Sequence, residues 1–170
     1  MSWLTQDQIR ELLDVIRSRS AGANPHRELI VLVCLATGAR WSEAQNLKPT
    51  SVRNRAVTFS NTKNGKVRTV PISPELEEWL QEHWKRYGHF TSSIGAFRRA
   101  LEKTTIELPK GQAAHVLRHS FASHFMMNGG NILTLQKILG HSAVTVTMRY
   151  AHLSPDHFQD SIRFSPLSNF

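Results

Sequence analysis

The sequence contains one cysteine and only thirteen acidic residues among 170, and its longest apolar run, Leu29 to Ala36, is short. A single cysteine excludes a disulfide scaffold. Cys34 lies inside the apolar run, so it reads as a small buried thiol rather than a reactive one, at home in a reducing cytoplasm. The run falls well below the ~20 residues needed to cross a bilayer, and the N-terminus lacks the charged region and apolar core of a secretion signal. No membrane partner is expected. Scattered acids offer little for a magnesium-binding carboxylate cluster, which disfavours a metal-dependent nuclease. Internal repeats, low-complexity tracts and linkers are also missing. What is present is basic: Lys and Arg number 21, the net charge is +8, and 40% of residues are hydrophobic. That composition suits one domain burying roughly 70% of its unfolded surface, with a polyanion as the partner that its charge favours.

Hydrophobic periodicity and stop signals divide the chain. Thr5 and Gln8 form a capping box, and Ile9, Leu12, Leu13 and Ile16 recur at helical spacing up to the stretch Ser18 to Gly22. Pro25 opens a second helix, apolar on all sides and therefore central, that ends at Gly38. Trp41 to Leu47 is a short helical segment closed by Lys48-Pro49. Val52 to Phe59 and Val67 to Ile72 read as β-branched strands flanking Asn61 to Lys66, whose Asn64-Gly65 is a hairpin-turn signal with Lys63 and Lys66 at the tip. Helices are then expected from Pro74, over Ile94 to Ile106, and from Ala113 to Asn128 before Gly129-Gly130. Asn131 caps another, which stops at Gly140. Val144 to Tyr150 is β-branched but brief, and Ser154-Pro155-Asp156 reads as the cap and first turn of a final helix. The fold class expected is α+β, mainly helical with a small antiparallel three-stranded sheet.

The densest polar cluster is His115-Val116-Leu117-Arg118-His119. On a helix His115 and Arg118 share a face, while Leu117, Phe121 and Phe125 point inward. Two donors on one face suit a phosphate, because the arginine fork bonds its oxygens in pairs. His115 and His119 have the spacing of a zinc pair, but Val116 stands where a metalloprotease motif needs its Glu, so no metal is expected. Arg40 follows the glycine stop of the central helix, where a rigid core can aim it outward and Glu43 can orient it. Leu139-Gly140-His141 places a histidine after another glycine stop, with Tyr150 nine residues on.

In combination, Arg40 with Glu43, hairpin Lys63, His115-x-x-Arg118-His119, Leu139-Gly140-His141 and Tyr150 resemble, in this order, the catalytic domain of the tyrosine recombinases, and most nearly the integrases of temperate phages. The resemblance runs from about Leu4 to Tyr150. It implies Tyr150 as nucleophile, Arg40, Arg118, His115 and His141 around the phosphate, and Lys63 as the general acid, with Lys66 the alternative. Glu43 would hold Arg40, and His119 would support the site without touching the phosphate. His115 is the base for Tyr150 by family analogy, with water as the alternative. Lys66 and Arg68 are expected to contact DNA.

The implied reaction cleaves and rejoins DNA through a 3′-phosphotyrosyl link, for prophage integration and excision, and uses no cofactor. A type IB topoisomerase and a chromosome-dimer-resolving recombinase are alternatives within the same chemistry, and a silent DNA-binding module lies outside it. The implied partners are double-stranded DNA attachment sites and further copies of the chain, as a tetramer on DNA and a dimer in solution. The expected place is the cytoplasm of a bacterial host, at the nucleoid. Relatives carry an N-terminal core-binding domain that this chain, starting at Met1-Ser2-Trp3, lacks, so it reads as an excised fragment. Residues 1–153 would be the catalytic domain. Residues 154–170 would be an apolar tail, either exchanged between protomers or docked on its own domain.

Overall fold

The computed structural model describes residues 1–18, 24–60 and 62–170, so Ser18 closes the first helix while residues 19–22 of the expected Ser-rich stretch, and Asn61 of the hairpin, lie outside the described residues. Helices α1 (Gln6–Arg17), α2 (Arg27–Thr37) and α3 (Trp41–Gln45) precede strands β1 (Val52–Arg53), β2 (Ala56–Phe59) and β3 (Arg68–Pro71). There follow α4 (Pro74–Tyr87), α5 (Ile94–Glu102), α6 (Ala113–Met127), α7 (Ile132–Leu139), α8 (Val144–Thr147), a 3-10 segment Met148–Leu153, and a short α9 (Asp160–Arg163). The sheet is antiparallel in the order β1-β2-β3, with Val57 opposite Val52 and Val70. This is the α+β arrangement expected. Among the described residues, no helix is long and apolar enough to cross a membrane.

Helix α2 lies at the centre, packed against α1, α3, α4, α5 and α6. Its Leu29, Ile30, Val31, Val33 and Cys34 are buried in the main core, as a helix without a polar face must be. Burial pushes the Cys34 thiol far above its ordinary range, so it is inert. A second, smaller cluster of Ala122, Met126, Leu135, Leu139 and Tyr150 joins α6 and α7 to the 3-10 segment. The candidate site lies along the seam between the two.

Two local expectations are corrected, and one segment left without an assignment gains one. Val52 to Phe59 is two strands, because Asn54 and Arg55 both take positive φ (54° and 58°), the geometry of a two-residue hairpin turn. Arg55 is held there by its amide, which donates to Glu77 Oε2 at 2.7 Å, and its carbonyl, which accepts from Ile72. The β-branched Val144 to Tyr150 is helical, since docking on α7 and α6 outweighs local preference. Ser154-Pro155-Asp156 starts no helix. Pro155 keeps Ser154 extended (ψ 135°), and Asp156 Oδ1 takes the Phe158 amide at 2.8 Å, so α9 begins only at Asp160.

Candidate active site

Two helix C-termini converge on one arginine. Helix α2 ends at Gly38 and α7 at Gly140, each left-handed (φ 68° and 71°), so the chain turns sharply and leaves terminal carbonyls pointing at α6. Arg118, buried on α6, donates from Nη1 to Gly38 O at 2.7 Å and from Nη2 to Leu139 O at 2.8 Å. The negative ends of two helices thus hold the guanidinium in place. Burial, followed by the charge of Arg40, pulls Arg118 down to about 10, so it is still a cation at neutral pH.

Arg118 Nη2 also lies 3.2 Å from His141 Nε2. An arginine can only donate, so Nε2 accepts, and the ring proton sits on Nδ1, which donates to Thr147 Oγ1 at 2.7 Å. Burial and then the cations Arg118 and Arg40 hold His141 down at about 4, a neutral imidazole at pH 7.

Glu43 is the anionic node beneath these cations. Its carboxylate, 2% exposed, accepts the Arg40 amide at 2.9 Å and Arg40 Nη1 at 3.3 Å. More tightly, it takes both ends of Arg68, at 3.0 and 2.7 Å. Burial pushes the Glu43 carboxyl up, but hydrogen bonds and charge from Arg68 and Arg40 outweigh it and keep it below the ordinary carboxylate range. Arg68, expected on DNA, is therefore corrected to a positioning residue. Its side chain is 8% exposed, its Nε donates to Ile138 O at 2.9 Å, and its guanidinium lies over Phe59. The strand alternation carried the signal, since Arg68 shares the inward face of β3 with Val70. Arg40, 34% exposed, presents its cation outward.

Lys63 and Lys66 are exposed at the hairpin tip. Asn64 latches that tip to the end of α7 by donating to Gly140 O at 2.8 Å, beside His141. Its Oδ1 also accepts the Lys66 amide, shaping the turn. The sequence marks Asn64 as a turn residue, with no sign of the latch.

Tyr150 is 2% exposed within the second cluster, and its hydroxyl lies 2.7 Å from His119 Nδ1. Burial raises the phenol, against the opposing charges of Arg149 and Arg118. Burial, then Arg149, His115 and Arg118, hold His119 down at about 4, so the ring is neutral, and in the tautomer protonated on Nε2 its Nδ1 accepts the Tyr150 hydroxyl. The expected pairing of Tyr150 with His115 is corrected. Residues four apart share a helix face one turn apart, and the ring that reaches the hydroxyl is the deeper one. His115 stands exposed, its ring centroid 6.3 Å from that of His119. Thr147 and Arg149 escaped the sequence reading, because nothing in a β-branched run marks a histidine's partner. Among the described residues, no three His, Cys, Asp or Glu side chains gather into a group that could hold a metal ion.

Two guanidiniums, neutral imidazoles, an exposed hairpin lysine and a phenol hydrogen-bonded to a histidine together provide what a phosphodiester needs for attack by a side chain. The phage integrase family model matches residues 2–157, and the chain belongs to that family of tyrosine recombinases. It is 54% identical over 167 residues to the integrase of Escherichia phage 186, covering 98% of this chain and 48% of that protein. The catalytic domain of bacteriophage HP1 integrase superposes with a TM-score of 0.90 at 50% identity, covering 99% of this chain and 98% of that one. The XerH site-specific recombinase, solved bound to its difH substrate, matches with a TM-score of 0.73 at 19% identity over all of this chain and 55% of that one, a likeness of fold alone. The chain spans about half the length of the curated relatives it matches.

Proposed function

We propose that this chain is the catalytic domain of a phage integrase, a site-specific recombinase acting on double-stranded DNA attachment sites to integrate and excise a prophage. The observation that carries the reading is Arg118, pinned by two helix ends with Arg40 and His141 beside it, in a chain of this family. Tyr150 Oη attacks phosphorus, the bond from phosphorus to O5′ breaks, and a 3′-phosphotyrosine remains. The 5′-hydroxyl of a partner strand then attacks that link and releases the tyrosine, so the bond energy is kept and no cofactor is consumed. Arg40 and Arg118 stabilise the charge that develops on the non-bridging oxygens, assisted by His115 and His141. His141 Nε2 accepts from Arg118 in the free protein, so donating to phosphate requires a proton there. The phosphate's negative charge favours that proton by offsetting Arg118 and Arg40. Lys63, on the latched hairpin, protonates the leaving O5′, with Lys66 as the alternative.

The tail is proposed to link protomers in a tetramer on DNA. Phe158, Ile162, Phe164, Leu167 and Phe170 are at least 69% exposed, which supports a home on a neighbouring copy over one on their own domain. An N-terminal core-binding domain would hold the DNA together with this one, and the setting would be the nucleoid of the bacterial host. A nicked suicide duplex tests the chemistry. The chain should form a covalent adduct that survives EDTA, and Tyr150→Phe should form none. An adduct from the Phe variant would refute the nucleophile, and loss in chelator restored by Mg²⁺ would point to a nuclease.

A further inference from the structure

Attack by Tyr150 requires its hydroxyl proton to go somewhere, and among the described residues the structure gives that hydroxyl one near partner of the right chemistry. His119 Nδ1 lies 2.7 Å away, inside the distance at which a proton transfers along a hydrogen bond. Its backbone lies in α6 directly after Arg118, whose side chain is locked between two helix ends, and its ring packs beside that of Tyr150 with centroids 6.0 Å apart. His119 therefore stays in register with the phosphate site through the backbone it shares with Arg118. Facing it are His115 and Arg118 of its own helix, Arg149 and Tyr150 of the 3-10 segment, and the N-terminal ammonium. With cations as its charged neighbours the ring stays neutral, and in the tautomer with its proton on Nε2 it presents to the hydroxyl the lone pair that a base requires.

We propose that His119, and not His115, takes the proton from Tyr150 as the hydroxyl attacks phosphorus. This rests on the reading of Tyr150 as nucleophile. As the Oη–phosphorus bond forms and the phosphorus–O5′ bond breaks, the phenolic proton passes to Nδ1, and His119 becomes an imidazolium protonated on both nitrogens. Free His119 holds such a proton poorly. A bound phosphodiester offsets the charge of Arg118, one of the groups that depress it, and so brings the base into a useful range at the moment it is needed. When the 5′-hydroxyl of a partner strand attacks the phosphotyrosine, the departing phenolate takes the same proton back. His115, one turn nearer solvent, is left free to donate to the phosphate.

The experiment measures single-turnover adduct formation by the 170-residue chain on a nicked suicide duplex, across pH, with tyrosine or a fluorinated tyrosine that ionises near neutrality at position 150. His119→Gln keeps a carbonyl acceptor for the hydroxyl but has no base. It should slow cleavage by at least ~10²-fold at neutral pH, with a rate that climbs about tenfold per pH unit, and fluorotyrosine should restore most of it. His115→Gln should also be slow, but without the added slope and without rescue. A His119→Gln enzyme within a few-fold of wild type, or one slowed with an unchanged pH profile and no rescue, would overturn the proposal. If that variant does not fold, His115→Gln decides alone, because fluorotyrosine rescue there gives the proton to His115 and absence of rescue supports His119. A wild-type chain that forms no adduct overturns the nucleophile reading itself, and the proposal with it.

Discussion

Replacing Glu43 with Ala removes the carboxylate on which two arginines depend, and the two should respond unequally. Arg40 is 34% exposed and 3.3 Å from the carboxylate, so its ion pair is largely replaced by water and contributes no more than ~1 kcal/mol. Arg68 is 8% exposed and bonds both carboxylate oxygens, leaving, among the described residues, Ile138 O and the Phe59 ring if Glu43 goes. Stranding a buried charge in this way costs ~3–5 kcal/mol. At roughly 2–4 °C per kcal/mol for a chain of this size, the midpoint of thermal unfolding should fall by about 10 °C. The loss should be insensitive to salt, because a buried pair is poorly screened. The assay is denaturant unfolding of wild type, Glu43→Ala, Arg68→Met and the double variant. Removing both partners should recover much of the single-variant loss, since an apolar side chain can take the place of the buried pair. If Glu43→Ala lies within ~1 kcal/mol of wild type, or the double variant is no better than Glu43→Ala, the assignment of Glu43 as the buried anchor of Arg68 is wrong.

At Gly38 a Cβ would meet Leu139 Cδ2 and Phe121 Cδ1 at 2.6 Å with φ already at +68°, so Gly38→Ala should cost ~2–5 kcal/mol, and an unchanged urea midpoint would refute the close fit. His119 and His141 are both held at about 4, below the unfolded value of 6.5, so the unfolded chain binds more protons between those limits. The stability they contribute is full above pH ~6.5 and lost as pH falls toward 4, by ~3 kcal/mol for the pair after halving for partial exposure. Urea midpoints across that window should show it, and an equally steep loss in the His119→Gln/His141→Gln variant would contradict it. Deleting residues 154–170 should weaken cooperative assembly on a two-site duplex far more than binding of one protomer, and unchanged cooperativity would end the exchange reading.

What the sequence made legible were local decisions. The capping box of Thr5 and Gln8, the Asn131 cap and the glycine stops at 38 and 140 each rest on a few neighbouring residues, and each forms as read. The Asn54-Arg55 turn was missed because arginine is a poor signal for positive φ, and what holds it there, Glu77, comes from another element. The same limit applies inside the site. Motif spacing names Arg118, His141 and Tyr150, but groups that aim Arg118 and Tyr150 are far away in the chain: Gly38 O lies 80 residues from Arg118, and His119 lies 31 from Tyr150.

Arg68 shows how the two kinds of information divide. Its charge and hairpin position suggest a DNA contact, while its period-two place beside Val70 sends it inward, and the buried carboxylate of Glu43, with Ile138 O, lets the second tendency prevail. A charge that composition assigns to the surface thus lies beneath the site. There it steadies Glu43, which orients Arg40, the guanidinium left facing outward. The order of dependence runs from buried pair to exposed cation, so damage at Arg68 should show first in stability and then in the position of Arg40.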